Sequence, residues 1–216
     1  MSEEIPEAVL AAYDLTSATL TPITSGWINR TFLVERGAER AVLQRLHPVF
    51  SGEVNRDIDV ITRRLAARKV AAPRIVPTRT GALWVDADRP WRMLTFLAGE
   101  SVGALRTLAL ARSAGSFVGR FHDALSAFPH TFAFTRAGVH DTAAHRAKLS
   151  EVRSREVPER GPIDALADLI LAYPLPTIPA LPTRIVHGDL KATNLLFEGD
   201  TAVGIVDLDT LSHGTI

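Results

Sequence analysis

Residues 187–210 read HGDLKATNLLFEGDTAVGIVDLDT, gathering a histidine, a lysine, an asparagine and several aspartates into two short loops, each attached to an apolar strand. A loop that follows a strand can hold a carboxylate rigidly and still leave it within reach, as a catalytic base requires. Asp189 is so placed and would accept a proton from an incoming hydroxyl. Asn194, at the start of the next strand, can offer its amide oxygen to a metal ion. Asp207 ends a further strand after the turn Glu198-Gly199-Asp200, so Asn194 to Asp207 is expected to be a hairpin whose two ends lie side by side. Oxygen ligands, with no cysteine and no histidine pair at metal spacing, favour a hard ion such as magnesium, normally held by one or two carboxylates plus substrate phosphates. Lys191 adds a positive charge in the same loop. A base, a pair of metal ligands and a cation together describe phosphoryl transfer from a nucleoside triphosphate, with Mg2+ as the implied ion. The plainer alternative, a pair of Asx-stabilised turns, accounts for single aspartates but not for this ordered set on strands. His187 reads as a structural residue whose ring is hydrogen-bonded to fix the loop.

The rest of the chain must build the frame for those loops. Its 216 residues, 46% hydrophobic, suffice for one substantial core or two small lobes and argue against disorder. Lys plus Arg (24) balance Asp plus Glu (24), so there is no excess positive charge to hold a phosphate backbone, and nucleic acid is not an expected partner. No run of apolar residues reaches membrane-spanning length, the start is acidic, and cysteine is absent. Those features lead us to expect a cytoplasmic protein with no membrane partner.

Periodicity divides the chain near residue 97. A short helix over 3–13 is followed by strands at Thr19–Thr21 and Thr31–Val34 around a turn at Ser25-Gly26-Trp27, and by a strand at Ala41–Leu46. Val54, Ile58, Ile61 and Leu65 recur at helical spacing within 53–69. A hairpin turning at Asp88-Arg89-Pro90 leads to a strand over Trp91–Leu97. Beyond Gly99, the residues Leu105, Leu108, Phe117, Val118, Phe121, Leu125 and Phe128 trace a long helical stripe. His122 sits within it and reads as packed rather than ligating. Two further polar-rich helices, at 142–156 and 163–172, have Asp141 or Thr142 as the expected cap of the first, and a proline-rich connector precedes the strand Arg184–His187.

His187-Gly-Asp189-Leu-Lys191-Ala-Thr-Asn194 resembles the catalytic loop H-x-D-x-x-x-x-N of the protein-kinase-like fold, in the variant of aminoglycoside phosphotransferases and choline kinases. Val206-Asp207-Leu-Asp209 resembles the metal-binding strand end of that superfamily. The segments 25–32, 42–46 and 206–210 are similar to stretches of N-acetylhexosamine 1-kinases. The likeness runs from about residue 20 to the end. It implies an α+β, two-lobed fold: residues 1–97 as an antiparallel sheet lobe covering the nucleotide, and 98–216 as a mainly helical lobe carrying the catalytic hairpin. It also implies ATP and Mg2+ as cofactors, Asp189 as base with Lys191 beside it, Asn194 and Asp207 as magnesium ligands, and Ser25, Gly26 and Asn29 in the turn over the phosphates. Thr95, Phe96 and Leu97 would present backbone groups to the adenine. The acceptor would be a hydroxyl of a small molecule such as a sugar, amino sugar or aminoglycoside. One departure stands out. The strand that normally carries a phosphate-pairing lysine reads Val42-Leu43-Gln44-Arg45, so Gln44 falls at the lysine position and Arg45, the nearest cation, on the opposite face. Of the helix carboxylates one turn apart, Glu53 and Asp57, the reading favours Asp57 as partner.

Three other readings compete. Asp207-Leu-Asp209 mimics the nucleophile motif of haloacid-dehalogenase-type phosphatases, whose chemistry needs a whole domain after it. The missing lysine fits a non-catalytic nucleotide-binding module. A protein kinase would need an Ala-Pro-Glu segment and an activation loop that have no room here. Kinases of the resembled family continue well past the metal aspartate, so the chain reads as truncated. We expect apolar surface on the strand Val203–Val206 and on the 105–128 helix, an incomplete acceptor pocket, and self-association through that uncovered surface.

Overall fold

The computed structural model describes residues 5–24, 28–136, 139, 141–155, 161–176 and 181–215. Its helices are α1 (Glu7–Tyr13), α2 (Val54–Ala67), α3 (Leu108–Leu125), α4 (Thr142–Arg153) and α5 (Gly161–Ala172). Its strands are β1 (Thr19–Ile23), β2 (Arg30–Arg36), β3 (Glu39–Arg45), β4 (Ile75–Val76), β5 (Val85–Asp86), β6 (Pro90–Thr95), β7 (Glu100–Ser101), β8 (Thr183–Val186), β9 (Leu195–Glu198), β10 (Thr201–Ile205) and β11 (Ser212–Thr215). The described residues group into two compact units, Met1–Thr135 with Pro182–Ile216, and Arg136–Leu181.

In the first unit an antiparallel sheet runs in the order β1-β2-β3-β6-β4, with β5 also on β6. Its two faces follow from strand alternation. Val34, Leu43, Trp91 and Met93 pack against Val9 and Tyr13 of α1. Leu94 points to the other side, where Ile58, Ile61 and Leu65 of α2 meet Phe117, Phe121 and Leu125 of α3. The spacing read from α2 is thus the spacing it buries. β3 lies between β2 and β6, so Gln44 and Arg92 are register partners, as are Arg45 and Trp91.

The expected hairpin forms: β10 pairs antiparallel with β9, and β7 adds a third strand. Where we expected β10 and the long helix to expose apolar surface, they cover each other. Ile205, Phe117, Phe121 and Leu125 are buried, and Ser113 of α3 accepts a hydrogen bond from the Ala202 amide at 2.8 Å. The stripe starts later than its sequence suggested. Thr107 caps α3 by accepting from the Leu110 amide, which puts Leu105 ahead of the helix and leaves Leu108 75% exposed in its first turn. β11, which the sequence did not announce, pairs with β8 and ties the end of the chain to the strand entering the His187 loop.

In the second unit α4 begins at Asp141, whose carboxylate accepts from the Ala144 amide, as its sequence predicted. Arg146 of α4 donates to the carbonyls of Ile170, Leu171 and Tyr173, satisfying the C-terminal end of α5. α5 is less polar than expected: Ile163, Leu166 and Leu169 stand on its surface.

Candidate active site

Everything that positions Asp189 converges on two tight backbone features. Gly188 has φ +79°, and a Cβ there would lie 2.1 Å from the carbonyl oxygen of Thr210. Only glycine allows the 187–189 loop to press so close to the turn after β10. Thr210 in return donates its hydroxyl to the His187 carbonyl at 2.8 Å. The His187 ring is 1% exposed. Its Nε2 bonds the Val206 carbonyl at 2.9 Å and its Nδ1 accepts from the Asp189 amide at 3.3 Å. A carbonyl can only accept, so the proton sits on Nε2 and the ring is neutral. Burial, the largest influence, pushes its pKa below that of an ordinary histidine. The structural role read for His187 is therefore what the structure displays.

Asp189, Lys191 and Asn194 form one cluster. Lys191 Nζ lies 2.6 Å from Asp189 Oδ2. Asn194 is buried at the end of a tight helical turn, Ala192–Asn194, and its Nδ2 donates to the Asp189 carbonyl at 2.8 Å with a longer contact of 3.4 Å to Oδ2. Those bonds fix which way the amide is turned and leave Oδ1 as the atom available to a cation. The Asn194 carbonyl accepts from the Val206 amide at 2.9 Å, which brings the residue before Asp207 alongside Asn194. Asp207 itself adopts φ +65°, a left-handed conformation unusual for a non-glycine residue. It keeps solvent access, but partial desolvation, followed by the carboxylates of Asp209 and Asp189, holds its pKa above the usual carboxylate range. Excess negative charge of this kind is relieved by a cation. Among the described residues no group of three His, Cys, Asp or Glu side chains is poised to hold a metal. One carboxylate, Asp207, and the Asn194 amide oxygen instead suit an ion such as Mg2+, which takes its remaining ligands from water and phosphate.

The cation expected on β3 sits one strand away. Arg92 of β6, 2% exposed, donates its Nε and Nη2 to Gln44 Oε1 at 3.0 and 2.7 Å. Its Nη1 and Nη2 reach Asp209 Oδ1 and Oδ2 at 2.5 and 2.9 Å, and Nη1 also reaches Asn55 Oδ1 of α2 at 3.3 Å. Asn29 Nδ2 donates to Asp209 Oδ2 at 2.6 Å, while its Oδ1 accepts from the His47 amide at 2.9 Å. Gln44 completes the group by donating to Thr31 Oγ1 at 3.1 Å.

Several expectations change accordingly. Arg45 lies on the opposite face of β3 from Gln44 and pairs with Asp88 of the β5–β6 turn. Desolvation alone would raise the Asp88 pKa, but the Trp91 indole and Arg45 hold it low. Asp57 does not serve β3 either. Buried on α2, it accepts from the amides of Ala133 and Phe134 at 2.9 and 3.0 Å and bonds His130 Nε2 at 2.8 Å, anchoring the segment after α3. Glu53 bonds Arg56 on the surface. Asp209, both oxygens engaged by Arg92, is not free to act as the second carboxylate of a phosphatase D-x-D pair. Thr95 donates its amide to the Arg74 carbonyl at 2.9 Å, so that N–H is not available to an adenine. Phe96 and Leu97 follow the end of β6; Arg40 lies 4.0 Å over the Phe96 ring. Ser25 and Gly26 lie outside the described residues.

Arg92 and Asp209 were missed as a pair. The signal was an arginine between buried residues of an apolar strand, a position where a lone charge is not tolerated.

Residues 19–216 match the phosphotransferase enzyme family, APH. The chain is 32% identical over 221 residues to a homoserine kinase of Beijerinckia indica subsp. indica, covering 96% of this chain and 64% of that one. It is 29% identical over 217 residues to a homoserine kinase of Sinorhizobium fredii, covering 96% and 63%. It thus spans somewhat less than two thirds of the length of these relatives. Among solved structures, the GDP and kanamycin complex of APH(2")-IIia superposes with a TM-score of 0.65 at 20% identity, over 95% of this chain and 72% of that one. The microcompartment-associated aminopropanol kinase does so with a TM-score of 0.63 at 20% identity, over 96% and 69%. These likenesses show the kinase-like α+β fold. No described helix is long and apolar enough to cross a membrane.

Proposed function

Because the chain belongs to the phosphotransferase enzyme family, we propose that it carries the catalytic hairpin of an ATP- and magnesium-dependent kinase that phosphorylates a hydroxyl of a small molecule. The observation that supports this most directly is the Asn194 amide, held by Asp189 through its nitrogen so that its oxygen is left for a cation beside Asp207. In this reading Asp189 accepts the proton of the acceptor hydroxyl as the acceptor oxygen forms its bond to the γ-phosphorus and the bond to the ADP oxygen breaks. Lys191, 2.6 Å from Asp189, keeps a positive charge where phosphate oxygens gather charge. Asn194 and Asp207 would hold Mg2+, which offsets charge on the phosphates when bound. Asn29, just ahead of β2, belongs to the segment over the phosphates. The backbone of Phe96 and Leu97 takes the adenine. The lobe boundary near residue 97 is part of the same proposal: residues 1–97 cover the nucleotide and 98–216 carry the chemistry.

For the acceptor, the names of two similar proteins, homoserine kinase and aminopropanol kinase, weigh towards small amino alcohols over sugars. The test is transfer from ATP to homoserine, aminopropanol, hexosamines and aminoglycosides, with Asp189→Asn as control. That variant keeps the loop's shape and removes the proton acceptor, so turnover should fall by roughly 100-fold or more with ATP affinity little changed. Near-normal turnover would remove Asp189 from the role. Nucleotide binding with no transfer to any acceptor would favour a binding module.

A further inference from the structure

We infer that Arg92 and Asp209 form an internal strut that positions the proposed metal ligand Asp207 together with Asn29, just ahead of β2, and that Arg92 is not itself a phosphate ligand. This rests on the phosphotransferase reading of the same site. The argument begins with the donors of Arg92. Its bonds to Gln44, Asn55 and Asp209 use every N–H of the guanidinium. A buried arginine with no donor left cannot reach for a phosphate without first breaking a buried ion pair.

The strut's geometry says what it does hold. Asp209 stands two residues after Asp207, whose left-handed φ of +65° is a strained conformation that persists only where the surroundings over-determine it. One side of the strain is fixed by the Val206 amide on the Asn194 carbonyl. The other is fixed by Asp209, buried and gripped through both oxygens by Arg92. Asp209 also takes the Asn29 amide at 2.6 Å, and Asn29 fastens His47 beyond β3. One carboxylate therefore links β6, Asn29 just ahead of β2, and the loop of Asp207. In effect, the cation of the phosphate-facing sheet has moved from β3 to β6, and its carboxylate partner has moved from α2 to the loop after β10. The ion pair organises the site while the phosphate charge is left to Mg2+ and Lys191.

The test measures affinity for MgATP by calorimetry as a function of free Mg2+, alongside affinity for ATP in excess EDTA. Arg92→Met combined with Asp209→Leu replaces the pair with apolar side chains of similar volume, an exchange that buried ion pairs often tolerate. The paired variant should unfold cooperatively like the parent. It should need roughly 10- to 100-fold more Mg2+ to reach the same MgATP affinity, the range seen when partners behind metal ligands are removed, with metal-free ATP affinity changed far less. Asn29→Ala should shift the Mg2+ requirement in the same direction in the parent and add nothing in the Arg92→Met, Asp209→Leu background, because it acts through Asp209. A folded paired variant with the parent's Mg2+ dependence overturns the strut. So does an Asn29→Ala loss that is fully additive with the pair. If the paired variant does not fold, an unchanged Mg2+ requirement in Asn29→Ala overturns the strut, and a rise in that requirement larger than any loss of metal-free ATP affinity supports it. A parent chain that binds no MgATP removes both this assignment and the functional reading, whereas a binding parent with unaffected variants removes this assignment alone.

Discussion

Replacing Gly188 with alanine perturbs the site through geometry alone, without touching a charge. The residue holds φ +79°, and its added Cβ would meet the Thr210 carbonyl oxygen at 2.1 Å, the carbonyl carbon at 3.0 Å and the Thr210 Cβ at 3.1 Å. The left-handed conformation costs an L-residue about 1–2 kcal/mol. The overlap is with backbone, which cannot swing aside like a side-chain tip, and forced repacking adds about 1–3 kcal/mol. Together that is a loss of about 2–5 kcal/mol, a large part of the ~5–15 kcal/mol that holds a typical domain. Gly199 supplies the control, since it has φ +57° in the β9–β10 turn with nothing among the described residues within 4 Å of a new Cβ. Gly199→Ala should cost only the conformational part, about 1–2 kcal/mol. Urea unfolding of both variants isolates the clash as their difference. Equal losses in the two would refute the claim that the His187 loop is pressed against Thr210. Because the Asp189 amide bonds His187 and the Thr210 hydroxyl bonds the His187 carbonyl, Gly188→Ala should also reduce transfer beyond its effect on folding.

If the two proposed metal ligands share one ion, Asn194→Ala and Asp207→Ala should each raise the Mg2+ requirement, and the double variant should be little worse than the more damaging single; full additivity in MgATP titrations would argue against a shared site. Stability should fall as pH drops below ~6.5, because His187 and His122 both have folded pKa values lowered chiefly by burial; the unfolded chain then binds more protons, and the loss continues until the folded pKa values are reached. His122, whose buried Nδ1 has no hydrogen-bond partner among the described residues, can be tested separately: His122→Leu should lessen the acid loss with little effect at neutral pH, and an unchanged acid slope in thermal unfolding would count against it.

What could be read from the sequence is what short-range physics determines. Val54, Ile58, Ile61 and Leu65 announce α2 because a helix face is set by local spacing, and they are buried as that spacing requires. The β9–β10 hairpin follows from two apolar runs around Glu198-Gly199-Asp200, with Gly199 at the positive φ that such a turn needs. His187 could be assigned a structural role because its ring lies within the loop it fixes. β4, β7 and β11 were not legible: the first two are only two residues long, and all three exist because distant partners, β6, β9 and β8, offer them a free edge.

The cation question turned on the same distinction between local and distant partners. Alternation along β3 correctly placed Gln44 and Arg45 on opposite faces, but it could not say which strand lies beside Gln44. That depends on β6 pairing with β3 across an intervening helix, with Arg92 opposite Gln44. Asp57 misled for a related reason. Its place on α2, one turn from Glu53, says that it is buried on the inner side, and nothing local says that the amides of Ala133 and Phe134 will come to meet it. A buried charge identifies itself in a sequence by sitting among apolar neighbours; its partner is fixed only by the fold. Arg92, between Trp91 and Met93, was such a charge, and the carboxylate it required lay in the motif that had already been read as catalytic.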